Sequence, residues 1–270
     1  MTWVLSNIPE WVHEVILVDA NSDDGTAEVA RAIRPDIVVI SEPEPRGKGS
    51  ALRAGFRLAT GEVIVMIDAD GSMTPGEMIR LLVLLADGFD LVKGSRFMAG
   101  GSSADITRLR RIGNKCLLSV ANALYGTRFT DLCYGFCAFR RDDLDLLALD
   151  ADGFEIEAQL VVRAVRRQLK VTEVPSLEGA RTHGTSKLRT FSDGTRVLRT
   201  VLAEFIRPRP LAVRGSPPAV IDLRVPFSVA SDDHSPGLVL VPGGEAVVQP
   251  DPLWSASAQC QEPAGDIRDL

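Results

Sequence analysis

An α/β fold with a mostly parallel sheet and helices on both faces is what this 270-residue chain predicts, on three observations. Short runs rich in Val and Ile alternate with amphipathic stretches from residue 14 to about residue 175. Strand–helix alternation of that kind builds a parallel sheet flanked by helices. Several of the runs end in a polar, glycine-bearing loop, and the run VIVMID at 63–68 is almost wholly apolar. Such a run suits a strand covered on both faces.

The elements follow in order. Strands are expected at 14–19 (EVILVD), 36–41 (DIVVIS), 62–68 and 90–95 (DLVKGS). Between them, residues 25–33, 49–59 and 75–86 read as helices, with Thr26 or Asp24 as a cap for the first and Pro75 in the first turn of the third. A helix over 106–124, a strand over 134–139, a helix over 155–167 and a strand over 171–174 come next. A helix over 186–205 closes the series, and no internal repeat is evident.

Composition is that of an ordinary globular protein, with 45% hydrophobic and 24% charged residues. The four cysteines, Cys116, Cys133, Cys137 and Cys260, have no zinc-ligand spacing, so reduced thiols in a cytosolic protein are expected. No signal peptide opens the chain and no apolar run approaches the roughly 18 residues a bilayer span needs. A cytoplasmic protein, peripheral on the inner face of the cell membrane, is the expectation.

Of the formal charge of −6, residues 211–270 carry −5, from 3 basic and 8 acidic side chains. They also hold 8 of the 16 prolines, so a disordered tail from 207 to 270 is expected beyond a catalytic domain at 1–206. The longest ordered period in that tail is Gly237–Pro242. Residues 181–210 are the opposite, with seven basic residues against Asp193 and Glu204. That basic, amphipathic helix suits an anionic membrane surface. A helix packed on the domain with a solvated basic face is the alternative.

Four polar constellations sit at strand ends or helix starts: 19–26 (DANSDDGT), 46–49 (RGKG), 68–71 (DADG) and 93–96 (KGSR). Asp68 and Asp70 are two apart, so an extended backbone points both to one side. At the carboxyl end of a strand, where open α/β sheets bind ligands, they could hold Mg²⁺ or Mn²⁺ bridging to a phosphorylated substrate. A calcium EF-hand fails on spacing, because the sixth and twelfth positions from Asp68 are Met73 and Ile79. A phosphate-binding loop fails at Lys48, since Pro43 stands where its first glycine belongs. Taken singly, 19–26 reads as a capped turn and Lys48 as a solvated helix-start lysine.

Together these segments resemble the family 2 glycosyltransferases of the GT-A (nucleotide-diphospho-sugar transferase) fold, in the dolichyl- or polyprenyl-phosphate sugar synthase branch. VDANSDDGT, RGKGSALRAG, DADGSMTP and KGSRF resemble that family's first four motifs in order. RLRRIGN, TDLCYGFCAFRR, GFEIEAQL and RTHGTSKL resemble later ones. Two departures stand out. The chain opens inside what resembles the family's first helix, so the first strand of the family sheet is apparently missing, and two rows of backbone polar groups are expected unpaired. Ser72 stands where lipid-phosphate enzymes often carry Gln or His.

The resemblance implies an inverting, metal-dependent transfer of a sugar from a GDP- or UDP-linked donor to a polyprenyl phosphate. It places Asp19 at the nucleotide base, Lys48 near the nucleotide, and Asp68 and Asp70 on Mg²⁺ or Mn²⁺, with Asp70 central to catalysis. A lipid phosphate attacks without a base and needs cations, for which Arg96, Arg110, Arg111 and Lys187 are suited. A sugar hydroxyl needs a general base, for which Asp131 is the candidate, with a turn-capping aspartate as the alternative. A lone loop histidine, His183, could lie near the acceptor or simply be exposed. A nucleic-acid partner is not expected. Other readings are transfer to a saccharide or natural-product hydroxyl, a nucleotidyltransferase, and a truncated, non-catalytic nucleotide-binding relic.

Overall fold

The computed structural model describes residues 1–42, 46–68, 70–181 and 189–208, together with the backbone of 237–242. Helix α1 (Thr2–Asn7) leads into strand β1 (Val12–Asp19), followed by α2 (Thr26–Ile33), β2 (Val38–Ser41), α3 (Lys48–Leu58) and β3 (Val63–Asp68). A 3₁₀ turn at Pro75–Glu77 enters α4 (Met78–Ala86), and β4 (Leu91–Ser95) returns through the sheet. Then come β5 (Ser102–Ser103), α5 (Arg108–Tyr125), β6 (Cys137–Arg140), a second 3₁₀ turn at Arg141–Asp143 that enters α6 (Leu144–Leu147), and α7 (Ile156–Arg166). Strands β7 (Val171–Pro175) and β8 (Leu177–Glu178), helix α8 (Thr190–Ile206) and β9 (Gly237–Pro242) complete the order.

The main sheet runs β2-β1-β9-β3-β6-β4-β7. β1 and β2 pair parallel, as do β4 and β7, whereas β9 and β6 are antiparallel to both of their neighbours. Five of the seven strands therefore point one way. Alternation along β3 explains its apolar run: Val63, Val65 and Ile67 face the core under α1, α2 and α4, whereas Ile64 and Met66 face the core under α3, α6 and α7. Both faces of the strand are dry, so no polar residue is tolerated until Asp68. A third cluster, built by Ala121, Leu132, Val161, Val162, Val197 and Val201, clamps α5 and α8 onto α7.

The expectation of two unpaired rows of backbone groups is corrected here. β9 lies between β1 and β3 and pairs with both, Leu240 standing opposite Val15 on one side and Val65 on the other. Residues 237–242, assigned from sequence to a disordered tail, are thus strand. The cause is physical: a gap between two buried strands costs about 1–3 kcal/mol for each unsatisfied peptide group. GLVLVP is a strand-like apolar run within that tail. The pairing is antiparallel, with an irregularity at Val12/Glu14, and it brings Gly237 opposite Asp68 at the carboxyl end of β3.

Sequence also missed the β5–β8 ribbon, whose strands are two residues each, too short to leave a periodic signal. The helix expected at 75–86 splits into a 3₁₀ turn and α4 because Pro75 starts a tight first turn. The strand expected over 134–139 begins only at Cys137, since Tyr134, Gly135 and Phe136 pass beside the site described next.

Candidate active site

The site is assembled at the carboxyl ends of β3 and β4. Asp68 is the last residue of β3, and Asp70 stands in the turn that follows. Asp70 is fixed through one oxygen: Oδ1 accepts from the Ser72 hydroxyl at 2.8 Å and from the Ser72 backbone N–H at 3.1 Å. Its other oxygen, Oδ2, meets the Arg181 guanidinium at 3.1 Å. Arg181 also donates through Nε to Asp105 at 2.8 Å, so it bridges two carboxylates. Ser72 thus orients the aspartate rather than replacing a ligand side chain.

Lys48 opens α3, where Gly47 at φ +140° supplies a backbone that a side chain would strain. Its ammonium forms ion pairs with Asp68 and, at 2.6 Å, with Glu157 on the first turn of α7. Burial opposes the lysine charge, but the pull of Asp68 and Glu157 outweighs it and holds Lys48 protonated above its usual range. Burial pushes Glu157 up, against the pull of Lys48 and with the help of Asp68. Gly135 makes this packing possible. A Cβ there would lie 2.7 Å from Lys48 Nζ, 2.9 Å from Glu157 Oε1 and 3.2 Å from Asp68 Oδ1.

Asp131 and Arg96 form a second, closed network. Arg96 Nε and Nη2 donate to the two Asp131 carboxyl oxygens at 2.7 and 3.1 Å, and Nη1 donates to Glu178 at 3.1 Å. The guanidinium also stacks 4.6 Å from the Tyr134 ring centroid. Lys93, itself only 1% exposed, donates to the Asp131 carbonyl at 2.7 Å. Glu173 accepts from the backbone N–H groups of Thr130 and Asp131. Burial pushes the Asp131 carboxyl up, but Lys93 and Arg96 outweigh it and hold it below the usual range. Asp131 is 0% exposed. A carboxylate so enclosed is placed to hold Arg96. The aspartate expected from sequence as a base or a turn cap thus lies against Arg96, and Arg96 in turn lies between the carboxylates of Asp131 and Glu178.

Asp19 is buried at the end of β1, where its Oδ2 accepts from the Ser22 N–H at 2.9 Å, so it shapes the turn after the strand. Arg110 and Arg111 lie in the first turn of α5, and Arg111 rests 5.7 Å from the Phe97 ring centroid. Lys187 and His183 lie outside the described residues. Sequence missed Glu157, Arg181, Asp105 and Glu178 as site residues. Glu157 stood inside the quoted GFEIEAQL motif, and its acidic side chain between apolar neighbours was the available signal.

The donor set fits a hard divalent cation. Two carboxylates of partly exposed aspartates, 29% and 22% by side chain, project from one strand end. Two carboxylates suit an ion completed by waters and substrate phosphates. They do not suit a closed zinc cage.

Residues 4–147 match the family model for glycosyl transferase family 2. A polyprenol monophosphomannose synthase of Mycolicibacterium smegmatis is 35% identical over 184 residues, covering 64% of this chain and 69% of that protein. A glycosyltransferase of Haloferax volcanii is 32% identical over 182 residues, 67% of this chain and 59% of its own length. A dolichol-phosphate mannosyltransferase of Pyrococcus furiosus is 32% identical over 181 residues, 66% of this chain but 51% of its own. The chain thus spans only about half to two thirds of the length of these relatives. In fold it is similar to glucosyl-3-phosphoglycerate synthase of Mycobacterium tuberculosis solved with Mg²⁺ and UDP, at TM-score 0.60 and 23% identity, over 77% of this chain and 75% of that one. With the family model covering more than half of its residues, the chain belongs to the family 2 glycosyltransferases.

Proposed function

We propose that the protein transfers a sugar, with inversion, from a GDP- or UDP-linked donor to a polyprenyl phosphate, using Mg²⁺ or Mn²⁺ at Asp68 and Asp70. The observation that carries this reading is the pairing of two partly exposed carboxylates at and just past the end of β3 with a sealed Asp131. A metal–diphosphate has a seat, whereas the base that a hydroxyl acceptor requires does not reach open space. A phosphate acceptor is already ionised near neutral pH and attacks the anomeric carbon without giving up a proton. The relatives from M. smegmatis and P. furiosus are named for transfer to polyprenol and dolichol phosphates, which agrees.

In this reading Asp68 and Asp70 would hold a divalent cation, which would supply Lewis-acid neutralisation of the charge on the departing nucleoside diphosphate. Lys48, in the first turn of α3, adds a second positive charge to the site. Glu157 keeps that lysine charged and aimed. Asp131 and Glu178 hold Arg96 and the β4 end rigid, positioning the wall of the site rather than reacting. Asp19 orders the loop after β1 for the nucleotide base. Arg110, Arg111 and Lys187 supply cations for the acceptor phosphate.

Exposed apolar side chains favour an acceptor at a membrane surface. On α8, Phe191, Leu202 and Phe205 share one face and are 78%, 40% and 49% exposed, and Ile206 follows them. On α5, Leu109 and Ile112 are exposed beside Arg108 and Arg111. Exposed Arg196 and Arg199 complete a basic, apolar rim suited to anionic lipid. Among the described residues, no helix is long and apolar enough to cross a membrane.

The test is a matrix of UDP- and GDP-sugars with Mn²⁺ against three acceptors: a short polyprenyl phosphate, the corresponding polyprenol, and a simple saccharide. Turnover with the phosphate alone supports the reading. Turnover with the saccharide and not the phosphate overturns it.

A further inference from the structure

The carboxylates that would receive the metal are already occupied by cations of the chain itself. Lys48 sits on Asp68, and Arg181 sits on Asp70 Oδ2 at 3.1 Å. The two cases differ. Lys48 is locked by a second buried carboxylate, Glu157, against a wall that leaves it no room, because Gly135 is in contact. Arg181 has an alternative: its Nε already donates to Asp105 at 2.8 Å, on the segment leading into α5. Arg181 and Asp105 are partly exposed, 25% and 28% by side chain. Arg181 can therefore release Asp70 and keep a carboxylate partner, whereas Ser72 continues to hold Asp70 Oδ1 in place.

We infer that Arg181 is a displaceable counter-ion of Asp70, handed over to Asp105 when a divalent cation arrives. The inference rests on the proposed metal site and deepens it. A guanidinium on Asp70 Oδ2 offsets the charge a second cation would meet there and repels it, so guanidinium and metal compete for Asp70. By linkage, whatever factor the Arg181 contact takes from metal affinity, the bound metal takes from the Arg181 contact. The device has a chemical purpose. Without metal, it balances the two neighbouring carboxylates and keeps Asp70 in its Ser72-bound orientation. With metal alone, the site pays twice for positive charge, through Lys48 and Arg181. The diphosphate of a donor relieves both, so the site discriminates against bare cations in favour of a metal–nucleotide pair.

Arg181 is a positioning residue in this scheme, and its signature is a pair of opposite effects. Mn²⁺ affinity of the full 270-residue chain is measured without nucleotide, from the free-Mn²⁺ electron paramagnetic resonance signal, for wild type, Arg181→Met and Asp105→Asn. Arg181→Met removes the competitor and tightens Mn²⁺ binding by about tenfold, within the usual range of site–site coupling. Asp105→Asn removes the alternative partner, holds Arg181 on Asp70 and weakens Mn²⁺ binding several-fold. Adding UDP or GDP improves Mn²⁺ binding more in wild type than in Arg181→Met. Unchanged or weaker binding in Arg181→Met overturns the inference, as does tighter binding in Asp105→Asn. If Arg181→Met fails to fold, the Asp105→Asn result and the wild-type nucleotide effect decide alone. Absence of Mn²⁺ binding in all proteins, with nucleotide present, overturns the metal site itself and the inference with it. Normal Mn²⁺ binding without the opposite shifts overturns only the inference.

Discussion

Asp131→Asn separates a positioning carboxylate from a catalytic one. The substitution keeps the side-chain shape and removes the charge that faces Arg96. In the structure Arg96 makes two side-chain bonds to Asp131, at 2.7 and 3.1 Å, and the Asp131 side chain is fully buried. Breaking a buried pair on one side costs about 3–5 kcal/mol, because the partner charge stays buried and uncompensated. Glu178 keeps its own hold on Arg96 Nη1, which places the loss at the lower end, about 3 kcal/mol. For a domain of this size that is a fall in Tm of roughly 6–12 °C. Calorimetry reads the stability, and initial rates at a temperature where both proteins stay folded read the chemistry. The account predicts the large Tm loss, kcat within about tenfold of wild type and an unchanged pH profile, whereas loss of a general base costs about 10²–10⁴-fold. A Tm within about 2 °C of wild type together with a hundredfold loss of kcat would refute the positioning role.

Other outcomes follow from the same geometry. Asp131 is held below its usual 3.8 in the folded protein, so its stabilisation is complete above about pH 4 and is lost as the pH falls through the folded value. Acid unfolding of Asp131→Asn, followed by circular dichroism, is accordingly less steep than that of wild type in that window. Gly135→Ala drives a methyl group against Lys48, Glu157 and Asp68, and raises KM for the donor or Kd for UDP at least about tenfold with a small effect on Tm. Unaltered nucleotide binding by calorimetry would contradict the close approach. Leu240→Pro removes one backbone N–H from a strand paired on both sides and lowers stability by at least about 2 kcal/mol in urea. An unchanged urea midpoint would place β9 outside the sheet.

Much of this molecule was legible in its sequence because its strongest signals are local. VIVMID reads as a doubly covered strand, and the structure shows the two cores that cover it. Asp68 closes that strand as expected, whereas Asp70 lies in the turn after it and not on the extended backbone that two-residue alternation assumes. What escaped was set by long-range pairing. GLVLVP at 237–242 looks like a weak apolar run in an acidic, proline-rich tail, and only the gap between β1 and β3 makes it a strand. Asp131 read as a candidate base or a turn cap because an aspartate beside a threonine carries no mark of its burial. Its partner Arg96 is 35 residues away, just past the end of β4, and Lys93 reaches it from β4 itself. Arg181 read as one member of a basic run. Its contact with Asp70 spans 111 positions and no spacing rule reports it.

The most direct test of the central claim follows radiolabel from a UDP- or GDP-sugar into the organic phase with a short polyprenyl phosphate, for wild type and Asp70→Asn, with Mn²⁺ and with chelator. The account predicts lipid-linked label for wild type with Mn²⁺, and a loss of at least about a hundredfold with chelator or with Asp70→Asn. Equal label in the Asp70→Asn protein, or transfer undiminished by chelator, would contradict it.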